Sequence, residues 1–245
     1  MLYGVGTFAG MSVYQTWQQD KKRQAEGEEE GGEEMGGTRF DSLAKEYDDR
    51  ISTSERMAGI LRLRKGLLGD VKGETLEVAA GTGRNLEYYP HGARVTLTDT
   101  SPKMLERAKE KAQDIEGLSL RVGVGGAEDI PFPDDTFDHV VDTFGLCSMP
   151  DPRAALLEMR RVCKPDGDIR LLEHGRSFWG YSLLNKYLDA RAPAHVKDWG
   201  CEWNRDIGNL VKETPGLEIV SEKYHHFGTT YEYVLKKTED ASPPP

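Results

Sequence analysis

The chain has 245 residues, enough for one domain with additional segments and a sizeable hydrophobic core. Apolar residues make up 37% and charged residues 30% of the sequence, a composition typical of globular domains that excludes a polytopic membrane protein. The formal net charge of −10 argues against an extensive nucleic-acid-binding surface, because such a surface needs a basic face.

The first 39 residues differ in composition from the rest of the chain. Residues 1–19 carry no charged side chain, but several glycines interrupt the apolar run, and a spanning helix needs about 20 apolar residues. This segment is therefore interpreted either as a single membrane anchor or as an apolar tail. Residues 20–39 are acidic and glycine-rich, which predicts a disordered linker. Residues 238–245 are predicted to form a disordered tail.

The main domain is predicted to span residues 40–237 and to begin with helices. Leu43, Tyr47 and Ile51 recur every four residues, and the apolar stripe continues to Leu68. Five short apolar segments typical of β-strands follow, at residues 75–79, 94–98, 118–124, 137–143 and 169–172.

Helices are predicted between and after these strands. Ser101 caps a helix that starts at Pro102, and Asp151 precedes another helix that stops at the sequence KPDG of residues 164–167. Further helices are predicted at residues 181–190 and 204–213, and late strands at residues 217–221 and 231–235. This order predicts an α/β fold with a seven-stranded, mostly parallel sheet, helices on both faces and an antiparallel hairpin at the edge.

A glycine-rich turn follows the first predicted strand, in the sequence EVAAGTG of residues 77–83. Such a turn lets the backbone approach a ligand, and Asp99 at the end of the second strand suits ribose hydroxyls. A dinucleotide site would need the pattern G-x-G-x-x-G, but no glycine lies three residues after Gly83. Glu77 would repel a pyrophosphate and attract a cation. The turn therefore favours a nucleoside that carries an amino acid.

Residues 76–83 resemble the first motif of the class I S-adenosylmethionine-dependent methyltransferases. Three further stretches resemble the family in the same order, namely AEDIPF at residues 127–132, DTFD at residues 135–138 and LEMRRVCKPDG at residues 157–167. The resemblance extends over residues 40–236. It implies a Rossmann-like fold, S-adenosylmethionine as the cofactor and methyl transfer as the activity.

The same resemblance implies a set of cofactor-binding residues. Glu77 would reach the amino group of the cofactor, the backbone at Gly81 and Gly83 would flank its methionine part, and Asp99 would hold its ribose. The full set that the resemblance implies is Glu77, Ala79, Gly81, Gly83, Asp99, Thr100, Ala127, Glu128 and Thr143.

The sequence departs from the family pattern at two positions. Ala79 replaces the first glycine of the motif, which costs stability if the φ angle of Ala79 is positive. Gly126 stands where an acidic residue is common, so recognition of the adenine amino group would fall to Glu128, to Asp129 or to the backbone.

Several stretches are similar to a fungal mitochondrial inner-membrane methyltransferase group, at residues 47–55, 86–90, 142–148, 172–176 and 199–207. They are more distantly similar to animal thiol methyltransferases and to ubiquinone/menaquinone C-methyltransferases. This resemblance implies a mitochondrial location at the inner membrane, with the cytoplasm as the alternative. It favours membrane association through residues 1–19 and implies a small-molecule acceptor such as a lipid quinol or a thiol.

The candidate catalytic residues are His174 and Glu173, at the carboxyl end of the fifth strand, where open α/β sheets place ligands. His174 would act as a general base oriented by Glu173, or both residues would only cap the strand. Cys147 is interpreted as a packing residue, and Cys201 as part of a lid.

The cysteines and histidines show no recognisable metal-binding motif. The three cysteines form no CxxC pair, so neither a disulfide framework nor a zinc knuckle is expected, and a reducing compartment is favoured. His225 and His226 have no third ligand at metal spacing, and no metal is expected.

The sequence thus predicts a methyltransferase that uses S-adenosylmethionine and a small-molecule acceptor of unspecified identity. Two other interpretations stay open. One is a cofactor-binding assembly or quality-control factor without essential turnover. The other is a dinucleotide oxidoreductase, which the missing third glycine disfavours. No oligomeric state is predicted.

Overall fold

A seven-stranded sheet forms the centre of residues 39–238, the part of the chain that the computed structural model describes. Its strands are β1 (Glu74–Val78), β2 (Arg94–Asp99), β3 (Ser119–Val124), β4 (Phe137–Thr143), β5 (Cys163–His174), β6 (Leu217–His225) and β7 (Thr230–Lys237). They lie in the order β3-β2-β1-β4-β5-β7-β6. Strand β7 runs antiparallel to both β5 and β6, and the other neighbouring pairs are parallel. The predicted fold class is therefore confirmed.

Seven α-helices in the described residues cover this sheet and precede it. They are α1 (Arg39–Leu43), α2 (Tyr47–Ala58), α3 (Ile60–Leu68), α4 (Pro102–Ala112), α5 (Pro152–Val162), α6 (Ser182–Trp199) and α7 (Ile207–Glu213). Two of them begin as predicted. The Ser101 hydroxyl accepts a hydrogen bond from the Met104 amide of α4, and the Asp151 carboxylate accepts from the Arg153 and Ala154 amides of α5.

The three largest differences from the predicted element boundaries concern α2 and α3, α6 and β5. The apolar stripe up to Leu68 is divided between α2 and α3, because Gly59 adopts a φ of 75° that ends one helix before the next begins. Helix α6 continues past residue 190 to Trp199, with Pro193 inside it. Strand β5 starts at Cys163 instead of residue 169, so it includes the KPDG sequence at which the preceding helix was predicted to stop.

The two larger apolar clusters of the core lie on opposite faces of the sheet, and a third, small one joins Leu43 and Ala44 to Met104. Along β4, Val140 belongs to the cluster with Leu156 and Met159 of α5, whereas Val141 belongs to the cluster with Leu105 of α4. Successive side chains of a strand point to opposite faces, so this alternation places the sheet between two helical layers.

The predictions for the chain ends fall largely outside the described residues. The membrane anchor or apolar tail at residues 1–19 lies there entirely, as do residues 20–38 of the linker and residues 239–245 of the tail. Within residues 39–238, none of the helices combines the length and the apolar character needed to span a bilayer.

Candidate active site

A cavity of about 490 Å³ opens at the carboxyl ends of β1, β2, β4 and β5. The residues that follow the first three strands form one part of the lining, here called the turn wall. The residues that follow β4 and β5, with residues near the end of α6, form the other part, here called the aromatic wall. The turn wall contains Ala79, Gly81, Asp99, Thr100, Ala127 and Glu128, and the aromatic wall contains Phe144, Cys147, His174, His195, Trp199, Cys201 and Trp203.

Asp99 fixes the glycine-rich turn to the end of β2. Its Oδ2 accepts a hydrogen bond from the Gly81 amide at 2.8 Å, and its Oδ1 accepts one from the Ser101 amide at 2.8 Å. Burial raises the pKa of Asp99, although both backbone amides favour the carboxylate. Each oxygen can accept more than one hydrogen bond, so Asp99 remains able to bind hydroxyl groups in the cavity.

The turn leaves space for a ligand at Gly81. Gly81 has a φ of 56°, and a side chain at this position would meet no atom within 4 Å. Ala79 also lines the cavity and has a φ of 47°. The left-handed conformation is unfavourable for a residue with a Cβ atom, so the replacement of glycine at position 79 introduces backbone strain.

Two residues of the predicted cofactor set, Glu77 and Gly83, are not part of the described cavity lining. Glu77 is 2% exposed, and its carboxylate accepts hydrogen bonds from Asn85 Nδ2 at 3.0 Å and from the Tyr89 hydroxyl at 2.7 Å. Burial raises the pKa of Glu77 to about 7. At Gly83, a Cβ atom would lie 3.0 Å from Ala108 of α4. Both residues therefore support the turn from outside the cavity.

The loop after β3 contributes Ala127 and Glu128, as predicted from the family pattern, whereas Asp129 is exposed and lies outside the described lining. Glu128 is held near the start of α5, because its Oε1 accepts a hydrogen bond from the Asp151 amide at 3.4 Å. Of the two acids proposed for the adenine amino group, the structure places only Glu128 in the cavity wall.

An ion-paired group from the helices before the sheet completes this side of the cavity. The Arg64 guanidinium is 3% exposed and donates hydrogen bonds to Glu55 Oε1 at 2.7 Å, Asn85 Oδ1 at 2.8 Å and Thr143 Oγ1 at 2.7 Å. Arg84 also pairs with Glu55. Burial disfavours the Glu55 carboxylate, but the two guanidinium groups lower the pKa of Glu55 below its usual value.

Sequence reasoning did not identify Glu55, Arg64 or Arg84 as residues of the site. A signal was present, because Arg64 lies on the same helical face as the buried Ile60, Leu67 and Leu68. An arginine on a buried face needs a partner and is informative for that reason.

Two thiols contact His174 in the aromatic wall. His174 Nε2 lies 3.1 Å from Cys147 Sγ and 2.8 Å from Cys201 Sγ, and the two sulfur atoms are 3.0 Å apart. Burial disfavours the imidazolium, but contact with Cys147 outweighs this effect and raises the pKa of His174. The neighbouring His195 stacks on Trp203 at 4.1 Å, and burial lowers the pKa of His195 to about 3.

Glu173 points away from His174, contrary to the prediction that it orients the imidazole. Its Oε1 accepts a hydrogen bond from the Gly145 amide at 3.2 Å. Burial and the neighbouring Asp142 carboxyl raise the pKa of Glu173 well above its usual value. The difference arises because successive residues of a strand point to opposite faces of the sheet. Glu173 is thus a buried residue beneath the loop after β4.

Comparisons with known proteins agree with this geometry. Residues 76–171 match a family model described as a methyltransferase domain. The chain is 36% identical over 219 residues to "Methyltransferase OMS1, mitochondrial" of Saccharomyces cerevisiae, covering 82% of this chain but only 46% of that protein. It is 39% identical over 154 residues to a phosphatidylethanolamine N-methyltransferase of Cereibacter sphaeroides, covering 61% of this chain and 72% of that protein.

Two further similarities concern the quinone pathway and the fold. The ubiquinone/menaquinone biosynthesis C-methyltransferase UbiE of Rickettsia massiliae is 34% identical over 154 residues, or 58% of this chain and 61% of that protein. A solved SAM-dependent methyltransferase of Thermotoga maritima superposes with a TM-score of 0.61 at 22% identity, covering 81% of this chain and 98% of that one.

The sheet order and the placement of the cavity define a class I methyltransferase fold. The chain belongs to the S-adenosylmethionine-dependent methyltransferase family. The predicted family and the predicted similarities to a fungal mitochondrial methyltransferase and to the ubiquinone/menaquinone C-methyltransferases are confirmed. The chain spans about half the length of its yeast relative.

Proposed function

We propose that this chain binds S-adenosylmethionine in the cavity and transfers the methyl group to a small, largely apolar acceptor. The observation that carries the proposal is that one cavity connects the turn wall, with Gly81 and Asp99, to the aromatic wall around His174. The first has the features of a nucleoside site, and the second is suited to exclude water from an acceptor.

The turn wall fits the cofactor in chemistry. Asp99, Gly81 and Glu128 all line the cavity, and Gly81 faces open space. In this proposal Asp99 binds the ribose hydroxyls, the turn at Gly81 admits the methionine part and Glu128 binds the adenine amino group. Ala79, Thr100 and Ala127 complete the turn wall, and Thr143 lines the cavity at the end of β4. Glu77 and Gly83 hold the shape of the turn from outside the cavity. Bound S-adenosylmethionine supplies a methyl group that is already activated for transfer.

The chain's own residues then have to align the acceptor and manage its proton. Phe144, Trp199 and Trp203 provide apolar surface for the acceptor. We assign acceptor activation to His174, because its imidazole lies in the same wall at the carboxyl end of β5. Glu173 has no part in this assignment, since its carboxyl contacts Gly145.

We further propose a lipid quinol or an apolar thiol as the acceptor, and a mitochondrial location. Two relatives carry lipidic substrates in their names, phosphatidylethanolamine and ubiquinone/menaquinone, and a third is named as mitochondrial. The aromatic wall and the uncharged residues 1–19 support an acceptor and a location close to a membrane. The net charge of −10 supports a small molecule over nucleic acid.

Calorimetry and a methyl-transfer assay test this function in sequence. We expect S-adenosylhomocysteine to bind and NAD not to bind, and we expect radioactive methyl groups to appear on short-chain quinols or on an aliphatic thiol. Binding without transfer to any quinol, thiol, RNA or protein acceptor would support a cofactor-binding assembly factor instead. Binding of NAD alone would reassign the chain to the dinucleotide oxidoreductases.

The membrane association of residues 1–19 has its own test. We expect the full chain to stay with mitochondrial membranes after extraction at alkaline pH, and a chain starting at residue 39 to be released. Complete release of the full chain would count against an anchor at residues 1–19.

A further inference from the structure

Three different parts of the fold bring sulfur and nitrogen donors together in the aromatic wall. Cys147 lies in the loop after β4, His174 ends β5, and Cys201 follows α6. Along the sequence, 27 residues separate each cysteine from His174, so no short motif reveals the cluster. The three ligand atoms lie within 4.8 Å of one another, and all three residues line the cavity.

The backbone holds the two cysteine segments in this arrangement independently of the thiols. The Glu202 amide donates a hydrogen bond to the Cys147 carbonyl at 2.9 Å. Arg205 Nη1 donates to the Leu146 carbonyl at 2.6 Å and to the Met149 carbonyl at 2.8 Å, on either side of Cys147. The donors are therefore brought together by fixed segments, as a preorganised ligand site requires.

We propose that Cys147, His174 and Cys201 bind a Zn²⁺ ion whose fourth coordination position faces the cavity. Two thiolates and one imidazole form a donor set that suits zinc, and three protein ligands with one open position are typical of catalytic zinc sites. With Zn–S bonds of about 2.3 Å and Zn–N bonds of about 2.0–2.1 Å, each donor atom has to move outward by only roughly 0.4 Å.

The alternative of simple packing explains the cluster less well. Without a metal, the Cys147 and Cys201 sulfur atoms lie only 3.0 Å apart, and each lies within 3.1 Å of His174 Nε2, so three donor atoms crowd together around no common partner. A divalent cation would favour both thiolates and release both thiol protons to solvent. It would also give His174 Nε2 a ligand role, with the imidazole neutral.

The proposed zinc site depends on the proposed function in one respect only, namely what binds at the fourth coordination position. If the acceptor is a thiol or a quinol, its sulfur or oxygen would occupy the open position and lose its proton more readily there. Metal binding itself is measured without methyl transfer, so the two proposals can fail separately.

Metal analysis of the full-length chain tests the site. We expect about one zinc ion per purified chain, and cobalt(II) in its place to give thiolate-to-metal charge-transfer absorption. Cys147→Ser and Cys201→Ser should each weaken zinc binding by more than the 10–100-fold typical of losing a residue that only hydrogen-bonds a metal ligand. Cys163→Ser is the matched control, because Cys163 is an equally buried thiol whose Sγ contacts the Asp168 carbonyl instead.

Measurements on the unmodified chain keep the test decisive if a variant fails to fold. Zinc added to chelator-treated protein should raise its thermal unfolding midpoint, and the rise should be smaller at acidic pH, where the thiols and His174 are protonated. Absence of zinc together with a loss of both free thiols under non-reducing conditions would overturn the proposal in favour of a disulfide. Equal zinc content in the wild type and both cysteine variants would also overturn it.

Discussion

Arg64 and Glu55 form a buried ion pair that connects the helices before the sheet to the floor of the cavity. Arg64 Nη2 lies 2.7 Å from Glu55 Oε1, and the two side chains are 3% and 11% exposed. The same guanidinium also bonds Asn85, which in turn bonds Glu77 of β1. Residues 39–68, which precede the part matched by the family model, thereby contribute to the cavity wall.

Removing one partner of this pair should destabilise the domain strongly. Arg64→Ala leaves the Glu55 carboxylate buried with only Arg84 as a charged partner, so we expect a loss of about 3–5 kcal/mol in the free energy of unfolding. Arg62→Ala, on the exposed side of the same helix, should change it by less than about 0.5 kcal/mol. Urea unfolding measures both, and equal effects of the two substitutions would contradict a structural role for the pair.

The sequence predicted the elements whose signals are local. The Ser101 and Asp151 caps, the alternation of strands with helices and the turn before Asp99 each depend on neighbouring residues, and the structure contains them. The contacts of Arg64 with Thr143 and of His174 with two cysteines join residues far apart in the chain. Hydrophobic periodicity and motif spacing do not indicate which distant residues will be in contact. These parts of the site were therefore found only in the structure.

The backbone strain at Ala79 should be detectable when the stability effects of Ala79→Gly and Ala80→Gly are compared. The left-handed conformation of Ala79 costs about 1–2 kcal/mol, and Ala79→Gly removes this cost. The gain offsets the backbone entropy that glycine loses on folding, about 0.5–1 kcal/mol, and the loss of a methyl contact. Ala80 is 6% exposed and has no positive φ, so Ala80→Gly should cost roughly 1–2 kcal/mol without compensation. Thermal or urea unfolding that shows equal losses for the two variants would argue against strain at Ala79.

Asp99 should contribute to cofactor affinity directly. A charge-assisted hydrogen bond contributes about 1.5–3 kcal/mol, so Asp99→Ala should weaken S-adenosylhomocysteine binding roughly tenfold or more. Because Asp99 also holds the Gly81 amide, Asp99→Asn, which keeps an acceptor oxygen, should lose less affinity than the alanine variant. Asp114→Ala, at an exposed position after α4, is the control for calorimetry. Unchanged affinity in Asp99→Ala would remove Asp99 from the site.

The buried Asp142 should make the domain less stable as the pH rises. Burial raises the pKa of Asp142 to about 7, whereas the pKa of an unfolded aspartate is about 3.9. The native state therefore holds the proton more tightly. The resulting stabilisation is fully present below about pH 4 and is lost as the pH rises through about 7.

Asp142→Asn cannot ionise at this position, so its unfolding free energy should fall less between about pH 5 and about pH 8 than that of the wild type, by more than about 1 kcal/mol. Asp138→Asn is the control, because the fold shifts the pKa of Asp138 in the opposite direction. Burial disfavours the Asp138 carboxylate, but hydrogen bonds from Lys164 and the Glu74 amide outweigh this and lower the pKa of Asp138. Its removal should cost stability at both pH values. A wild-type slope unchanged by Asp142→Asn would contradict the assignment.

His174 should control turnover and not cofactor binding. His174→Ala removes the imidazole from the aromatic wall, so methyl transfer should fall by roughly 10²–10⁴-fold while S-adenosylhomocysteine affinity stays within a few-fold. His91→Ala, at an exposed position before β2, is the matched control. Loss of cofactor binding in His174→Ala would instead indicate a structural role for the strand end, and undiminished turnover would falsify the assignment of acceptor activation.

The cysteine variants then separate the two ways in which His174 can act. If His174 takes the acceptor proton by itself, Cys147→Ser should retain most of the turnover, because the imidazole stays in place. If His174 is a zinc ligand, Cys147→Ser and Cys201→Ser should lose turnover in parallel with their zinc content, and the turnover of Cys163→Ser should match that of the wild type. The two outcomes differ because a metal site needs all three donors, whereas proton transfer needs only the imidazole.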